Sequence, residues 1–223
     1  MSTLNGGPGI ITDGLVLYLD AANPYSYVSG STVWNDLSRS QVSGSLINGP
    51  TFNTGSGGNI VFDGTDDYVI GDILTFDDTA QGHTLNIWVK LGNLTREQHF
   101  INLKGNQSSG TQFYIVTNRL GTSAYGNLQG YLGQFQTNVW YMITQTRTSG
   151  ITGSAAHYVN GIEVASGTLP TCGTAVQYVL GNYVGLGNYY LSGSIAIGQI
   201  YNRSLLAAEV LQNYNSQKSR FGL

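Results

Sequence analysis

Short hydrophobic segments, separated by glycine, asparagine and serine, run along most of this chain. Between residues 83 and 90 the hydrophobic residues Leu85, Ile87 and Val89 alternate with a second set that includes Trp88. Alternation with a period of two predicts a half-buried β-strand. Further short strands are predicted at residues 15–19, 60–62, 68–70, 100–103, 113–117, 130–135, 140–146, 176–181 and 194–201.

Two chain reversals are predicted with a defined geometry. Asn160 and Gly161 stand between two β-like runs, and an Asn-Gly pair in that context specifies a two-residue type I′ hairpin. Residues 63–67 separate two other hydrophobic runs, and Gly64 permits the positive φ that a tight corner requires. We therefore expect a hairpin at 160–161 and a sheet corner at 63–67.

One amphipathic helix is predicted at residues 207–219. Leu206, Val210 and Tyr214 recur at helical spacing with Leu211 beside them, so this side of the helix should pack on the sheets. Leu206 occupies the N-cap position, where a serine or threonine would accept a hydrogen bond from the first turn. We therefore expect a frayed first turn, with an amide left to water or to a nearby serine.

The composition supports an all-β fold in a single domain. Of the 223 residues, 31 are glycine and 15 are tyrosine, and only 9% are charged. Helix-rich soluble domains usually carry more charge, and β-sandwiches often run to about 200–250 residues as one unit. Residues 1–12 are glycine-rich and lack periodicity, so we expect a flexible N-terminal arm ahead of the domain.

Charge, cysteine content and hydropathy exclude several classes of protein. The net charge of -3 and the scattered basic residues leave no basic stripe, so we expect no nucleic-acid partner. The lone Cys172 excludes an internal disulfide. No signal peptide follows Met1 and no run approaches about 18 apolar residues, so we expect cytoplasmic assembly without membrane insertion.

Three segments, in a fixed order, carry a family resemblance. They are GLVLYLDAANP at residues 14–24, FDGTDDYV at 62–69 and LSGSIAIGQIYNRSL at 191–205. Together they resemble the laminin-G-like, concanavalin A-like lectin/glucanase family, especially the domains found in virion proteins of tailed bacteriophages. The resemblance implies a concanavalin A-like jelly-roll sandwich of two antiparallel sheets with one short C-terminal helix, spanning residues 13–223.

The residues that could catalyse a reaction do not form a catalytic pattern. Glucanases of this fold place glutamates at alternate positions of one strand, in an E-x-D-x-x-E pattern that this chain lacks. No histidine lies in a nucleophile motif, and nothing beside Cys172 would lower a thiol pKa. The glutamates and histidines are Glu97, Glu163, Glu209, His83, His99 and His157. We predict no enzyme activity, no catalytic residue and no cofactor.

A structural calcium ion is the other chemistry that the resemblance raises. Relatives often read I-D-E-V-R-I-Y-N-R in the last strand, whereas this chain has Ala196 and Ile197 where the two carboxylates would stand. Hard cations require such oxygen ligands. The remaining candidates are Asp63, Asp66, Asp67, Asp77 and Asp78, for which a turn-forming role is favoured. We predict no metal site.

A glycine- and serine-rich segment after residue 24 contains Tyr25, Tyr27 and Trp34. These rings either form a binding surface or cap the edge of the sandwich. Capping is the favoured interpretation.

Two functions remain open. The resemblance favours a non-enzymatic virion protein, exposed on a phage capsid or tail, which contacts other virion proteins and host-surface glycans. The chain has few of the lysines and prolines that prevent an edge strand from pairing with another chain. We therefore expect a homo-oligomer, most simply a trimer. The alternative is a stand-alone carbohydrate-binding lectin module. The candidate glycan or surface contacts are Tyr125, Tyr183, Asn188 and Tyr189.

Overall fold

A computed structural model describes residues 9–106, 111–123, 131–132, 135–183 and 187–223. The strands within these ranges are β1 (Leu15–Asp20), β2 (Val33–Trp34), β3 (Gly44–Ile47), β4 (Thr51–Asn53), β5 (Asn59–Asp63), β6 (Tyr68–Asp77), β7 (His83–Leu91), β8 (Gln98–His99), β9 (Ile101–Gly105), β10 (Gln112–Val116), β11 (Arg119–Ser123), β12 (Tyr131–Leu132), β13 (Trp140–Arg147), β14 (Thr152–Val159), β15 (Ile162–Pro170), β16 (Thr174–Leu180) and β17 (Ser192–Tyr201). The helices are α1 (Asp78–Gln81) and α2 (Ala207–Gln217), and 3-10 turns occur at Gly55–Gly57 and Lys218–Phe221.

The strands form antiparallel sheets packed as a jelly-roll-like sandwich, which confirms the predicted all-β fold class. The larger sheet has the order β15-β14-β13-β7-β17-β5-β4, and β1 pairs with β17 beyond the end of β5. The facing sheet has the order β2-β3-β6-β16-β9. A third, four-stranded sheet, β12-β11-β10-β8, adjoins it through the Leu103–Thr111 bridge and was not expected.

The corner and the hairpin have the predicted geometry. Strand β5 belongs to the larger sheet and β6 to the facing sheet, so residues 63–67 carry the chain from one sheet to the other. Gly64 has a φ of 80°. At the hairpin, Asn160 and Gly161 have φ values of 53° and 80°, as a type I′ turn requires.

Strand β7 is buried on both faces, so the prediction of a half-buried strand was wrong. Leu85 and Ile87 pack in the core between the sheets, as expected. On the other face Trp88 is fully buried, with ring centroids 4.0 Å from Phe221 and 5.8 Å from Tyr214. The C-terminal helix and the turn after it therefore cover the face that alternation had assigned to solvent.

The start of α2 is held by a contact that the sequence did not indicate. The Glu209 carboxylate accepts a hydrogen bond from the Leu206 amide at 2.8 Å. Arg203 donates to the same carboxylate through two nitrogens, at 2.7 and 2.8 Å. The Glu209 side chain thus binds the amide of Leu206, and the Glu209 amide donates to the Leu206 carbonyl at 2.9 Å, which holds the first turn although Leu206 offers no side-chain acceptor.

Residues 9–12 contact the C-terminal helix. The Gly9 carbonyl accepts from Gln212, the Ile11 amide donates to Asn213, and the Tyr201 hydroxyl donates to the Ile11 carbonyl. Residues 1–8 lie outside the described ranges. The flexible arm at 1–12 and the domain boundary at residue 13 stay predictions.

Two of the three aromatic residues after β1, Tyr27 and Trp34, cap the sandwich as predicted, whereas Tyr25 does not. Trp34 is fully buried and Tyr27 is 5% exposed, with the Tyr27 ring 5.4 Å from that of Phe52. Tyr25 projects into solvent and is 83% exposed. No described helix is long and apolar enough to cross a membrane.

Candidate functional site

Three loops meet at one end of the sandwich. They are the corner at 63–67, the segment between β7 and β8, and the segment between β16 and β17. Arg96 joins them, because its Nη2 donates to the Gly64 carbonyl at 2.5 Å and to the Tyr190 carbonyl at 3.2 Å. This guanidinium therefore fixes where the tyrosine-bearing segment lies.

Aromatic side chains from β10 and from the segment between β16 and β17 surround His99 at the end of β8. The His99 ring stacks on Tyr114 with centroids 5.1 Å apart. Tyr183 and Tyr189 lie 5.4 and 5.2 Å from it, and these two tyrosines meet each other edge to face at 5.9 Å. We call Tyr114, Tyr183 and Tyr189 the tyrosine rim. His99 is its buried centre, with 1% of its surface exposed.

Polar groups fix the orientation of His99 and the rim. His99 Nδ1 lies 3.1 Å from Asn102 Oδ1, and Nε2 lies 2.9 Å from Glu97 Oε1. The backbone amide of His99 donates to the Tyr189 carbonyl at 3.0 Å. One third of the Glu97 side chain remains exposed. The arrangement therefore combines aromatic rings with a solvent-accessible carboxylate.

Three of the four predicted contact residues belong to this end of the sandwich. Tyr183 is half-buried and Tyr189 is 38% exposed. Asn188, beside Tyr189, is exposed. Tyr125 lies outside the described residues. His99, Glu97 and Tyr114 also belong to this cluster and were not predicted from the sequence. Only the i, i+2 spacing of Glu97 and His99 could have indicated that their side chains lie on the same side of the chain.

The aspartates of the corner come close together. One carboxylate oxygen from each of Asp63, Asp66 and Asp67 lies within 4.8 Å of the others. Asp63 Oδ1 accepts from the Thr65 amide at 2.7 Å, and this bond lowers the pKa of Asp63. Asp67 Oδ2 accepts from the Asp63 amide, while burial raises the pKa of Asp67. These bonds support the turn-forming role, and the absence of a metal stays a prediction.

Asp77 and Asp78 have structural partners. Asp77 caps α1, because its carboxylate accepts from the amides of Thr79 and Ala80. Asp78 is fully buried, and its Oδ1 lies 2.7 Å from His83 Nδ1 and 3.1 Å from Arg147 Nη1. Burial alone would raise the pKa of Asp78, but the charge and hydrogen bond of His83 hold it well below its usual range. These two aspartates therefore stabilise the fold.

The remaining groups with catalytic potential are buried or paired. His157 is buried, and desolvation lowers its pKa to about 4. Cys172 is also buried, and desolvation raises its pKa to about 12, so its thiol stays protonated at neutral pH. Glu163 lies 3.5 Å from the Tyr158 hydroxyl, and Glu209 is engaged by Arg203.

A polar cavity of about 390 Å³ lies beside the corner. Its lining includes Asn53, Asn59, Asp63, Lys90 and Ser192. A second cavity, of about 700 Å³, lies between the start of β1 and the Leu37–Arg39 segment, and no aromatic side chain lines it among the described residues. Neither cavity is lined by a residue of the tyrosine rim.

A laminin-G-type family model, described as the concanavalin A-like lectin/glucanases superfamily, matches residues 63–211. This range begins at the corner and contains the tyrosine rim and the start of α2. No curated protein sequence matches the chain.

Several solved structures share the fold. The botulinum neurotoxin serotype G binding domain has 18% identity and a TM-score of 0.71, over 92% of this chain and 51% of that chain. The serotype D ligand binding domain in complex with N-acetylneuraminic acid has 18% identity and a TM-score of 0.70, over 93% and 52%. This chain therefore spans about half the length of the neurotoxin binding domains.

A third similar structure has the same extent as this chain. It is domain 4 of AbnA, a GH43 extracellular arabinanase from Geobacillus stearothermophilus, in complex with arabinotriose. The identity is 17% and the TM-score is 0.68, over 92% of this chain and 100% of that domain. At these identities the likeness establishes a common fold.

Proposed function

This chain belongs to the concanavalin A-like lectin/glucanase superfamily, and we propose that it is a non-enzymatic carbohydrate-binding domain. The observation that carries the proposal is the tyrosine rim, where the partly exposed rings of Tyr183 and Tyr189 stand beside the Glu97 carboxylate and the exposed Asn188. Two proteins of the same fold have been solved in complex with a sugar, one with arabinotriose and one with N-acetylneuraminic acid.

The chemistry of the rim suits a sugar. The C–H faces of a pyranose or furanose pack on aromatic rings, while its hydroxyls need hydrogen-bond acceptors and donors. Tyr189 and Tyr183 would supply the rings, and Glu97 and Asn188 the polar groups. The edge-to-face arrangement of the two tyrosines presents one ring face and one ring edge to a ligand.

The absence of enzyme activity is part of the proposal. Retaining glycosidases need two carboxyl groups about 5–5.5 Å apart, one of them free to attack. Glu97 is paired with His99, Glu163 lies beside Tyr158, and Glu209 is held by Arg203. These partners support binding without hydrolysis.

Truncating the rim should weaken sugar binding. We expect Tyr189→Ala and Tyr183→Ala each to lower the affinity for a bound glycan by about thirtyfold or more, because losing a central aromatic contact costs about 2 kcal/mol or more. An array of neutral and sialylated glycans would identify the ligand, and calorimetry would give the affinities. Tyr25→Ala removes an exposed tyrosine ring outside the rim. This variant should bind the same glycan with unchanged affinity. Silence of the wild-type protein across the array would refute the proposal.

A role in a virion is the second candidate. We propose that the protein is exposed on the capsid or tail of a tailed bacteriophage, assembles there after synthesis in the host cytoplasm, and helps adhesion to surface glycans. The three sequence segments that resemble phage virion domains support this role. A second support is β15, the outermost strand of the larger sheet, which carries only one charged residue, Glu163, along nine residues.

An edge strand of this length with a single charged residue is expected to pair with another subunit. We predict that the protein is a homo-oligomer, most simply a trimer, and that the double substitution Ser166→Lys and Thr168→Lys on the exposed part of β15 shifts it to the monomer. Light scattering at micromolar concentration would measure the mass, and mass spectrometry of particles would count the copies. A monomeric wild-type protein, absent from particles, would exclude both the oligomer and the virion role.

A further inference from the structure

We infer that the polar cavity beside the corner is a second, separate binding site, which takes one unit of a neutral saccharide. Its volume of about 390 Å³ lies within the usual range for small-molecule pockets, about 300–1,000 Å³. No residue of the tyrosine rim lines this cavity. The inference therefore goes beyond the function proposed for the rim and does not depend on it.

Strand register places the lining of the cavity on one face of the larger sheet. Ile60 of β5 and Ile195 of β17 pack in the core between the sheets. Their neighbours Val61 and Ser194 therefore point to the opposite face, where they are cross-strand partners. Ser194 also pairs with Lys90 of β7. The cavity thus lies on the outer face of the larger sheet.

The C-terminal residues cover the apolar part of this outer face. The Phe221 ring stacks on Trp88 and lies 5.0 Å from the ring centroid of Trp140. Lys90 borders the covered part, because its ammonium lies 5.3 Å from the Trp140 centroid. The lining of the cavity includes three asparagines and two serines. The part of the face at the cavity is therefore polar.

Asn59 provides a buried hydrogen-bond acceptor at the cavity. This residue is 1% exposed. Its Nδ2 donates to the Gly55 carbonyl at 2.7 Å and to the Asn53 carbonyl at 3.3 Å, which fixes the orientation of the amide. None of the described residues donates to its Oδ1. A buried acceptor without a partner is costly, and a ligand hydroxyl in the cavity would remove that cost.

The charges in the lining favour a neutral ligand. Lys90 offers a donor, whereas Asp63 offers an acceptor that the Thr65 and Asp66 amides satisfy in part. A ligand carboxylate would be repelled by Asp63, and a ligand ammonium would be repelled by Lys90. A sugar hydroxyl can donate to the carboxylate and accept from the ammonium. Val61 adds apolar surface for the C–H groups of the sugar.

A titration followed by NMR tests the site directly. The probes are glucose, galactose, mannose and arabinose, each added to the nitrogen-15-labelled full chain up to tens of millimolar. At least one should shift the backbone amides of Asn59, Ser192 and Ser194, with a dissociation constant of about 1–10 mM. Absence of shifts at these amides with all four sugars would overturn the inference.

The same spectra separate the two proposals. Shifts confined to Tyr183 and Tyr189 would overturn the inference while leaving the function of the rim intact. Shifts confined to the cavity would support the inference and contradict the role of the rim.

Two substitutions ask whether the lining side chains bind the sugar. Ser194→Ala removes one hydroxyl, and Lys90→Met removes the ammonium while keeping an unbranched side chain. Each should weaken the binding of the best sugar about five- to tenfold, the effect of one lost hydrogen bond. The matched controls Ser45→Ala and Lys104→Met change exposed residues of the facing sheet and should bind as the wild type does. Wild-type affinity in both cavity variants would overturn the inference.

Charged sugars test the assignment of a neutral ligand. Glucuronate and glucosamine carry a carboxylate and an ammonium, respectively, on the glucose ring. Because Asp63 repels the first and Lys90 repels the second, each should bind the cavity at least about threefold more weakly than the best neutral sugar. Equal or tighter binding of either charged sugar would overturn the assignment.

Discussion

Replacing Asp78 with alanine is expected to lower the free energy of unfolding by about 3–5 kcal/mol, because it leaves a buried cation without its partner. Arg147 is fully buried, and its Nη1 lies 3.1 Å from Asp78 Oδ1. Asp78 Oδ2 accepts hydrogen bonds from the Thr171 hydroxyl at 3.1 Å and from the Cys172 amide at 3.0 Å. His83 lies 2.7 Å from Oδ1. Alanine removes the acceptor from all four groups.

Urea denaturation would measure this loss. The matched control is Asp66→Ala in the exposed corner, which removes a carboxylate from the surface and should change the free energy of unfolding by less than about 0.5 kcal/mol. If Asp78→Ala lowered the free energy of unfolding no more than Asp66→Ala does, the buried network would not hold β7, β13 and the end of β15 together.

The same carboxylate should make the fold sensitive to acid. Burial is the largest single influence and raises the pKa of Asp78, but His83, the Cys172 amide and Arg147 together outweigh it and place the folded-state pKa well below the ordinary value of 3.8. A depressed pKa contributes stability that is present above the unfolded-state value and is lost as the pH falls towards the folded-state value. Stability should therefore decline below about pH 4, and Asp78→Asn should show a shallower decline.

The second large effect is expected at Trp88. Trp88→Ala should lower the free energy of unfolding by about 3–5 kcal/mol, the usual cost of removing a fully buried large ring. The indole packs between β7 and the C-terminal residues Tyr214 and Phe221, and its Nε1 donates to Gln217 Oε1 at 2.8 Å. Trp88→Phe keeps a ring in this position and loses the hydrogen bond, so about 1–2 kcal/mol is expected.

Far-UV circular dichroism during denaturation would report whether α2 separates from the sheet in Trp88→Ala. Tyr25→Ala is the control, since that ring is 83% exposed and contacts solvent. If Trp88→Ala unfolded with the wild-type midpoint, the C-terminal helix would contribute little to the stability of the larger sheet.

Local features were determined by the sequence itself. The type I′ hairpin at Asn160-Gly161 and the corner at residues 63–67 depend on residues that adopt positive φ within a few positions of one another. Most short strands, the all-β class and α2 likewise follow from periodicity and composition, which are properties of neighbouring residues. The family resemblance added the sandwich architecture, and the matching family model agrees with it.

The covering of β7 was decided by tertiary structure. Alternation correctly separated the Leu85 side of the strand from the Trp88 side, but it could not show that a helix more than a hundred residues later would bury the second side. The Trp88–Gln217 hydrogen bond joins residues 129 positions apart. The bonds at the start of α2 are local by comparison, since Glu209 binds the amide of Leu206 three residues earlier and Arg203 orients its carboxylate.

The candidate site was also assembled by distant contacts. The sequence indicated Tyr183, Asn188 and Tyr189 from their loop, but the partner at their centre, His99, lies more than eighty residues earlier. The buried Asp78 network similarly joins residues 94 positions apart. Turn geometry and strand periodicity act between neighbours and can be read along the chain. Burial, pairing of charges and the meeting of aromatic rings depend on which elements face each other, and only the folded structure decides that.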